Sequence, residues 1–140
     1  MEAKPKVLLV DDDEASLRGF QRAFQQEYEI GVASSGDDAL ALLARDSSWD
    51  LALVDYSMDG MSGLELLHRM QGKYPGIARF VLTGHADLPE VAAASSSGLA
   101  VAVLMKPWER EHISQAVKRA LQLASMRRAV ERMKSRLGGA

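Results

Sequence analysis

Leu51-Ala-Leu-Val-Asp55-Tyr-Ser-Met-Asp-Gly60-Met-Ser-Gly63 is the stretch around which the rest of the chain is organised. Four apolar residues run directly into one carboxylate, and a turn-rich segment follows. A short apolar run bounded by turn residues predicts a strand that is buried on both faces. Asp55 then lies at the carboxyl end of that strand, where parallel α/β sheets keep their sites. A helix N-cap is the structural alternative for a single Asp at such a point.

Length and composition indicate one globular domain. The chain has 140 residues, of which 47% are hydrophobic and 26% charged, and its formal net charge is −2. This charge gives no reason to expect nucleic acid or a membrane surface as a partner. Cysteine is absent, which excludes disulfides, thiolate catalysis and cysteine-ligated metals. No apolar run approaches the roughly 20 residues of a membrane span, and residues 1–6 lack the apolar region of a signal peptide. We therefore expect a cytoplasmic protein.

Strand and helix patterns alternate along the whole chain. Short apolar runs predict five strands, at 7–10, 28–33, 51–55, 80–83 and 101–105. Helical spacing predicts helices over 14 to about 26, 36–45, 63 to about 71, 87–97 and from about 109 onward. Asp13 and Glu14 are expected to start the first helix, because acids favour its positive end. This alternation predicts βαβ units, a parallel sheet and the α/β class.

Polar residues follow the predicted strands at their carboxyl ends. Right-handed crossovers bring these ends to one edge of the sheet. That edge collects the first polar residues after four of the strands, which are Asp11, Asp12, Asp55, Thr83 and Lys106. Two carboxylates about 4 Å apart repel by roughly 4 kcal/mol at an effective dielectric of 20, so cations must offset the acids. Lys106 supplies one charge, and an all-oxygen ligand set favours Mg²⁺ or Mn²⁺ for the rest. Such a site suits a phosphoryl group, which a carboxylate nucleophile can accept.

These residues, in this order and at these spacings, resemble the receiver domain of bacterial two-component response regulators, the CheY-like family. The resemblance covers about residues 6–119. It implies a doubly wound, flavodoxin-like, five-stranded parallel sheet of strand order 2-1-3-4-5, flanked by five helices. It also implies that Asp55 accepts a phosphoryl group from a sensor histidine kinase or a phosphotransfer protein. Thr83 would bond a phosphoryl oxygen, and Lys106 would pair with the phosphoryl group or with Asp55.

The resemblance further implies metal ligands and tuning positions. Asp12, Asp55 and the backbone carbonyl of Ser57 would ligate Mg²⁺ directly, and Asp11 would act mainly through water. Ser57 and His85 each lie two residues after a site residue, at positions that in the family tune how water reaches the acyl phosphate.

Two positions depart from the family pattern. Met58-Asp59-Gly60 stands where the family often has Met-Pro-Gly, which makes this loop more acidic and less rigid. Val103 stands three residues before Lys106, where the family usually has Tyr or Phe. Valine cannot make the inward swing of that aromatic ring, so we expect the signal to leave by another face or side chain.

The last helix is longer than the sheet requires. Its first part carries the face predicted to pack on the sheet, formed by Ile113, Val117 and Ala120 with Leu121 or Ala124. Its second part continues at the three- and four-residue spacings of a heptad seam, through Leu123, Met126, Val130, Met133 and Leu137. We therefore expect a receiver domain at 1–121 and a C-terminal helical extension at 122–140. The extension is a signalling helix that forms a homodimer, or a linker to an output domain outside this chain. A frayed, solvated tail is the alternative, since two heptads are marginal alone.

Three functional classes compete. A phospho-accepting receiver catalyses only its own phosphorylation and dephosphorylation, and in that sense is not an enzyme. A Mg²⁺-dependent phosphohydrolase usually needs a second acid two residues after the nucleophile, where this chain has Ser57. A degenerate receiver that only docks or dimerises is disfavoured by the intact acid, Thr83 and Lys106 set, although Val103 keeps that alternative open. Direct nucleic acid binding is not predicted, because the basic last helix lacks an aromatic platform or helix-turn-helix. The sequence favours the receiver.

Overall fold

The computed structural model describes residues 3–138, which form an alternating α/β chain. The strands are β1 Lys6–Val10, β2 Glu29–Ala33, β3 Leu51–Asp55, β4 Ala78–Thr83 and β5 Ala102–Met105. The helices are α1 Glu14–Phe24, α2 Gly36–Arg45, α3 Gly63–Lys73, α4 Pro89–Ser96 and α5 Arg110–Gly138. All strand pairs are parallel, and the sheet order is β2-β1-β3-β4-β5. The predicted class, strand order and helix count are confirmed.

Two element starts differ from the sequence prediction by two residues, for identifiable reasons. We expected β4 to begin at Phe80, but it begins at Ala78 and includes a buried Arg79. Backbone carbonyls accept hydrogen bonds from that arginine, which the apolar pattern of a strand cannot indicate. We expected α4 to begin at 87, but it begins at Pro89. Proline suits the first turn of a helix because its missing N–H has no helical partner there.

The sheet is covered by helices on both faces. Successive strand residues point to opposite faces, so Leu8 and Val10 enter one core cluster while Val7 and Leu9 enter the other. All five residues of β3 are buried, as expected for the central strand of a doubly wound sheet. This burial places Asp55 in a desolvated position at the end of the strand.

Three helices begin directly beyond the carboxyl edge of the sheet, each with a side-chain cap. Asp13, Ser35 and Ser62 accept hydrogen bonds from backbone N–H groups of α1, α2 and α3. Such a cap typically stabilises a protein by about 1 kcal/mol. The caps fix the first turns of these helices beside the strand ends that carry the polar residues.

Helix α5 packs on the sheet only over its first part. Its buried residues are Ile113, Ala116, Val117 and Ala120. The helix continues to Gly138, and its outer part exposes the predicted seam residues Met126, Val130, Met133 and Leu137 by 50–80%. The extension is therefore helical, while its division from the domain at 121/122 stays a prediction and residues 139 and 140 lie outside the described part. None of the helices within residues 3–138 is long and apolar enough to cross a membrane.

Candidate functional site

Three carboxylates meet at the carboxyl edge of the sheet. Strands β1 and β3 pair with Val10 opposite Val54, so the acids that follow these residues are neighbours. Asp11, Asp12 and Asp55 each place one carboxylate oxygen within 4.8 Å of the other two. Asp11 is 2% exposed and Asp55 is 5% exposed, whereas Asp12 faces solvent. The cluster is therefore open on one side, as a site that admits an ion or a substrate must be.

Lys106 bridges the two buried acids. Its Nζ lies 3.0 Å from Asp11 Oδ2 and 3.2 Å from Asp55 Oδ1. Its backbone N–H donates to the Thr83 carbonyl, which fixes the end of β5 against β4. Burial lowers the pKa of Lys106, but the hydrogen bond and charge of Asp11 and the charge of Asp55 outweigh it, so the pKa is raised. The lysine is therefore held as a cation.

One lysine does not neutralise the acids. Burial, followed by the negative charge of Asp11, raises the pKa of Asp55 despite the opposing effect of Lys106. Mg²⁺ binds oxygens at about 2.0–2.1 Å, so ligands on opposite sides of it lie about 4.2 Å apart. The three carboxylate oxygens lie within 4.8 Å of one another, so they are close enough to approach this spacing. The donor set, its charge and its span therefore fit a hard divalent cation.

Thr83 ends β4 and is 3% exposed. Its Oγ1 accepts a hydrogen bond of 3.0 Å from the backbone N–H of His85. Since Oγ1 is the acceptor in this bond, its own O–H remains able to donate. The side chain of His85 is exposed beyond the turn, so the structure places it beside the site rather than among the acids.

The loop after β3 folds over the acids. The backbone N–H of Ser57 donates to Asp55 Oδ1 at 3.4 Å, and the N–H of Asp59 donates to Asp12 Oδ2 at 3.2 Å. A Cβ added at Gly63 would lie 2.3 Å from the carbonyl oxygen of Asp55, so the start of α3 approaches the strand end more closely than other residues allow. Ser57 lies exposed next to the acceptor, and the role of its carbonyl as a ligand stays a prediction.

The structure adds one pair of residues that the sequence did not single out. The Tyr56 hydroxyl donates a hydrogen bond to Glu90, in the first turn of α4. This bond raises the pKa of Tyr56 and lowers the pKa of Glu90. The only sequence signal for the new pair was the aromatic residue directly after Asp55.

Val103 lies half-buried in β5 opposite Val81, so the structure has no aromatic ring at that position.

Comparison with known proteins decides the family. The model of the response regulator receiver domain matches residues 7–118. This chain belongs to the receiver domain family. The receiver is 35% identical over 124 residues to the transcriptional regulatory protein GlrR of Escherichia coli K12, covering 87% of this chain and 28% of GlrR. It is 33% identical to the C4-dicarboxylate transport transcriptional regulatory protein DctD of Rhizobium meliloti, covering 94% of this chain and 30% of DctD.

Solved structures agree with the family. A CheY-like response regulator receiver domain protein from Methanospirillum hungatei JF-1 superposes with a TM-score of 0.80 at 28% identity. The match covers 89% of this chain and 99% of the other. The protein is thus a receiver domain of two-component signalling, as its residues suggested. It spans less than a third of the length of the two curated regulators named above, so what those whole proteins do is not transferred to it.

Proposed function

We propose that this receiver accepts a phosphoryl group on Asp55 from a sensor histidine kinase or a phosphotransfer protein. The observation that carries the proposal is the bridge of Lys106 between Asp11 and Asp55, beside an acid cluster spaced for a cation. Asp55 is the acid at the end of the central strand, and its neighbours offer positive charge and donors around it. A group with these surroundings is suited to act as a nucleophile toward phosphorus.

The reaction transfers one phosphoryl group between two side chains. An Asp55 carboxylate oxygen attacks the phosphorus of a phosphohistidine, the phosphorus–nitrogen bond breaks, and the imidazole leaves with the electron pair of that bond. Mg²⁺, held by Asp12, Asp55 and the Ser57 carbonyl with Asp11 acting mainly through water, supplies charge neutralisation when bound. Mn²⁺ has the same ligand preference.

The surrounding donors then hold the new acyl phosphate. Lys106, whose pKa is raised beside Asp11 and Asp55, exchanges its bond to Asp55 for one to a phosphoryl oxygen. The free O–H of Thr83 donates to a second phosphoryl oxygen, which draws the loop after β4 toward Asp55. Ser57 and His85 are exposed near Asp55 and Thr83, and they tune the hydrolysis rate. The receiver catalyses only its own phosphorylation and dephosphorylation, because the position two residues after Asp55 is Ser57 and offers no general acid for a phosphohydrolase.

Movement of the Thr83 loop is the step that carries the signal. Val103 offers no aromatic ring to follow this movement. The hydrogen bond from Tyr56 to Glu90 instead connects the residue after Asp55 to α4. We infer that α4 and the exposed seam of α5 change together, so that phosphorylation alters homodimerisation through the extension. An output domain in a longer protein, in the cytoplasm, then reads the change. The names of GlrR and DctD support a transcriptional output.

The alternative function is a degenerate receiver that only docks or dimerises, and Val103 is the observation that favours it. Incubation with acetyl phosphate and Mg²⁺, followed by intact mass measurement, distinguishes the two. We expect one phosphoryl adduct on the wild type, none on Asp55→Asn and none in EDTA. Absence of the adduct, together with no change of fluorescence or NMR spectrum on adding beryllofluoride and Mg²⁺, would contradict the phospho-acceptor and support docking.

A further inference from the structure

A cavity of about 300 Å³ lies between the start of β4 and the part of α5 that leaves the sheet. Arg79 and Arg127 form its polar wall, and its apolar wall includes Ile77, Val101, Ala120 and Leu123. Arg79 pairs in register with Ala52, whereas Leu82 pairs with Asp55. Arg79 therefore lies three residues along the sheet from the position of Asp55, a distance of about 10 Å at the rise of a β-strand. The cavity is therefore a different place from the acid cluster.

Arg79 is a buried cation without a counter-charge. It is 9% exposed, and its Nε and Nη1 donate to the carbonyl oxygens of Leu99 and Ile77 at 2.8 and 3.0 Å. The ion pairs formed within residues 3–138 do not include it. Burying a charge without an opposite charge is costly. Arg79 therefore lies in a position that an anion would stabilise.

One nitrogen of the Arg79 guanidinium group forms no hydrogen bond within the described part of the chain. Its Nη2 takes part in neither of the two hydrogen bonds of the guanidinium group. No buried side-chain nitrogen or oxygen in the described part of the chain lacks a partner. Nη2 consequently keeps some exposure to solvent, and Arg79 is one of the residues that line the cavity.

Arg127 brings a second guanidinium group to the same cavity. A Cβ added at Gly76 would lie 2.6 Å from Arg127 Nη1, so the absent side chain of Gly76 leaves the space that this guanidinium occupies. Burial, and then the charge of Arg127, lower the pKa of Arg79. Glu131 pairs with Arg127 only at 3.7 Å and on an exposed part of the helix. Two positive groups therefore line the cavity, and Glu131 is not among its lining residues.

We propose that this cavity binds a small oxyanion, a phosphate or a carboxylate with a short apolar body, between the guanidinium groups of Arg79 and Arg127. Guanidinium groups present parallel N–H donors that match the oxygens of phosphates and carboxylates. A volume of about 300 Å³ suits a small molecule. The bound anion links β4 to the turn of α5 at which the helix leaves the domain, so it fixes the start of the extension.

Titration of the full chain by NMR tests this site. Inorganic phosphate and acetate are added in separate series at constant ionic strength, with EDTA to keep divalent cations from the acid cluster. We expect saturable shifts of the Gly76 amide and the Arg79 Nε–H, and the anion that saturates them identifies the oxyanion. Asp55→Asn should give the same shifts, so the result does not depend on the phospho-acceptor function.

Two variants and one control locate the binding. Arg127→Gln should weaken binding by about tenfold or more, the usual loss for a charge-assisted hydrogen bond. Gly76→Ala should also weaken it, because the new methyl group displaces the guanidinium without removing its charge. Arg128→Gln removes the same charge from the neighbouring helix position and should leave the affinity unchanged. Absence of saturable shifts with both anions, or equal weakening by Arg127→Gln and Arg128→Gln, would overturn the proposal.

Discussion

The hydroxyl of Tyr56 and the carboxylate of Glu90 form a hydrogen bond that joins the residue after the acceptor to the first turn of α4. We expect Tyr56→Phe to leave phosphoryl uptake on Asp55 unchanged and to reduce the response of α4. The reason is that the ring remains while the link to Glu90 is lost. Backbone amide shifts of α4, with and without beryllofluoride, measure the response. Identical shifts in the wild type and the variant would show that the signal does not pass through this bond.

The same bond makes a pH prediction for Glu90. Its pKa lies below the ordinary 4.5 because the Tyr56 hydroxyl donates to the carboxylate. A lowered folded-state pKa contributes stability that is present above the unfolded value and lost as pH falls through the folded value. We therefore expect the wild type and Tyr56→Phe to differ in stability above pH 4.5 and to converge in more acidic solution. NMR titration of the Glu90 carboxyl carbon should show a higher pKa in Tyr56→Phe; an unchanged pKa would contradict the bond.

The acid cluster was predictable because it depends on topology alone. Asp11, Asp55 and Lys106 are each the first polar residue after an apolar run, and a parallel sheet brings those positions to one edge. No side-chain direction had to be known. The sequence pattern also predicted the helical extension of α5. A heptad spacing of apolar residues can be recognised in a sequence even where the helix does not pack on the sheet.

Other features depend on contacts that no local pattern records. Tyr56 and Glu90 are 34 residues apart, and only the packing of α4 on the sheet brings them together. In the sequence, Arg79 looks like a polar residue that precedes a strand. In the structure it belongs to β4, and carbonyl oxygens accept its hydrogen bonds. Gly63 was expected at the start of α3, but only the structure shows how closely it approaches the Asp55 carbonyl.

Metal binding at the acid cluster should appear as stabilisation. Mg²⁺ at ten times its Kd stabilises a folded protein by about 1.4 kcal/mol when it does not bind the unfolded chain. We expect Mg²⁺ to raise the Tm of the wild type but not of Asp12→Asn. Without metal, Asp12→Asn should be the more stable protein, because one of three repelling carboxylates is gone. Thermal unfolding with Mg²⁺ and with EDTA measures both effects.

A charge-matched control separates the cluster from a general charge effect. Glu111→Gln removes one exposed acid from the start of α5, outside the cluster. Its Tm should rise with Mg²⁺ as much as that of the wild type. Equal Mg²⁺ responses in Asp12→Asn and the wild type would mean that Asp12 is not a ligand.

Gly63 tests how tightly α3 is seated on the acceptor strand. Gly63→Ala places a methyl group 2.3 Å from the Asp55 carbonyl oxygen, so the loop over the acids must shift. We expect a loss of about 1–3 kcal/mol in the free energy of unfolding, typical of overpacking, and slower phosphorylation by acetyl phosphate. Gly72→Ala, in the same helix with no atom within 4 Å of the added Cβ, is the control. It should stabilise the protein by about 0.5–1 kcal/mol, and urea unfolding that ranks the two variants otherwise would refute the close-contact explanation.

The exposed seam of α5 predicts which substitution prevents self-association. Val130 lies mid-seam and is 50% exposed, so in a dimer its side chain would be buried against the partner helix. Val130→Lys should weaken the dimer at least about tenfold, because it buries an unpaired charge. Ser135→Lys adds the same charge to an exposed position outside the seam and should have little effect. Sedimentation velocity of the full chain, with and without beryllofluoride and Mg²⁺, measures both variants. If Val130→Lys and Ser135→Lys associate equally, the seam is not the interface; if beryllofluoride changes nothing in the wild type, dimerisation is not the readout of phosphorylation.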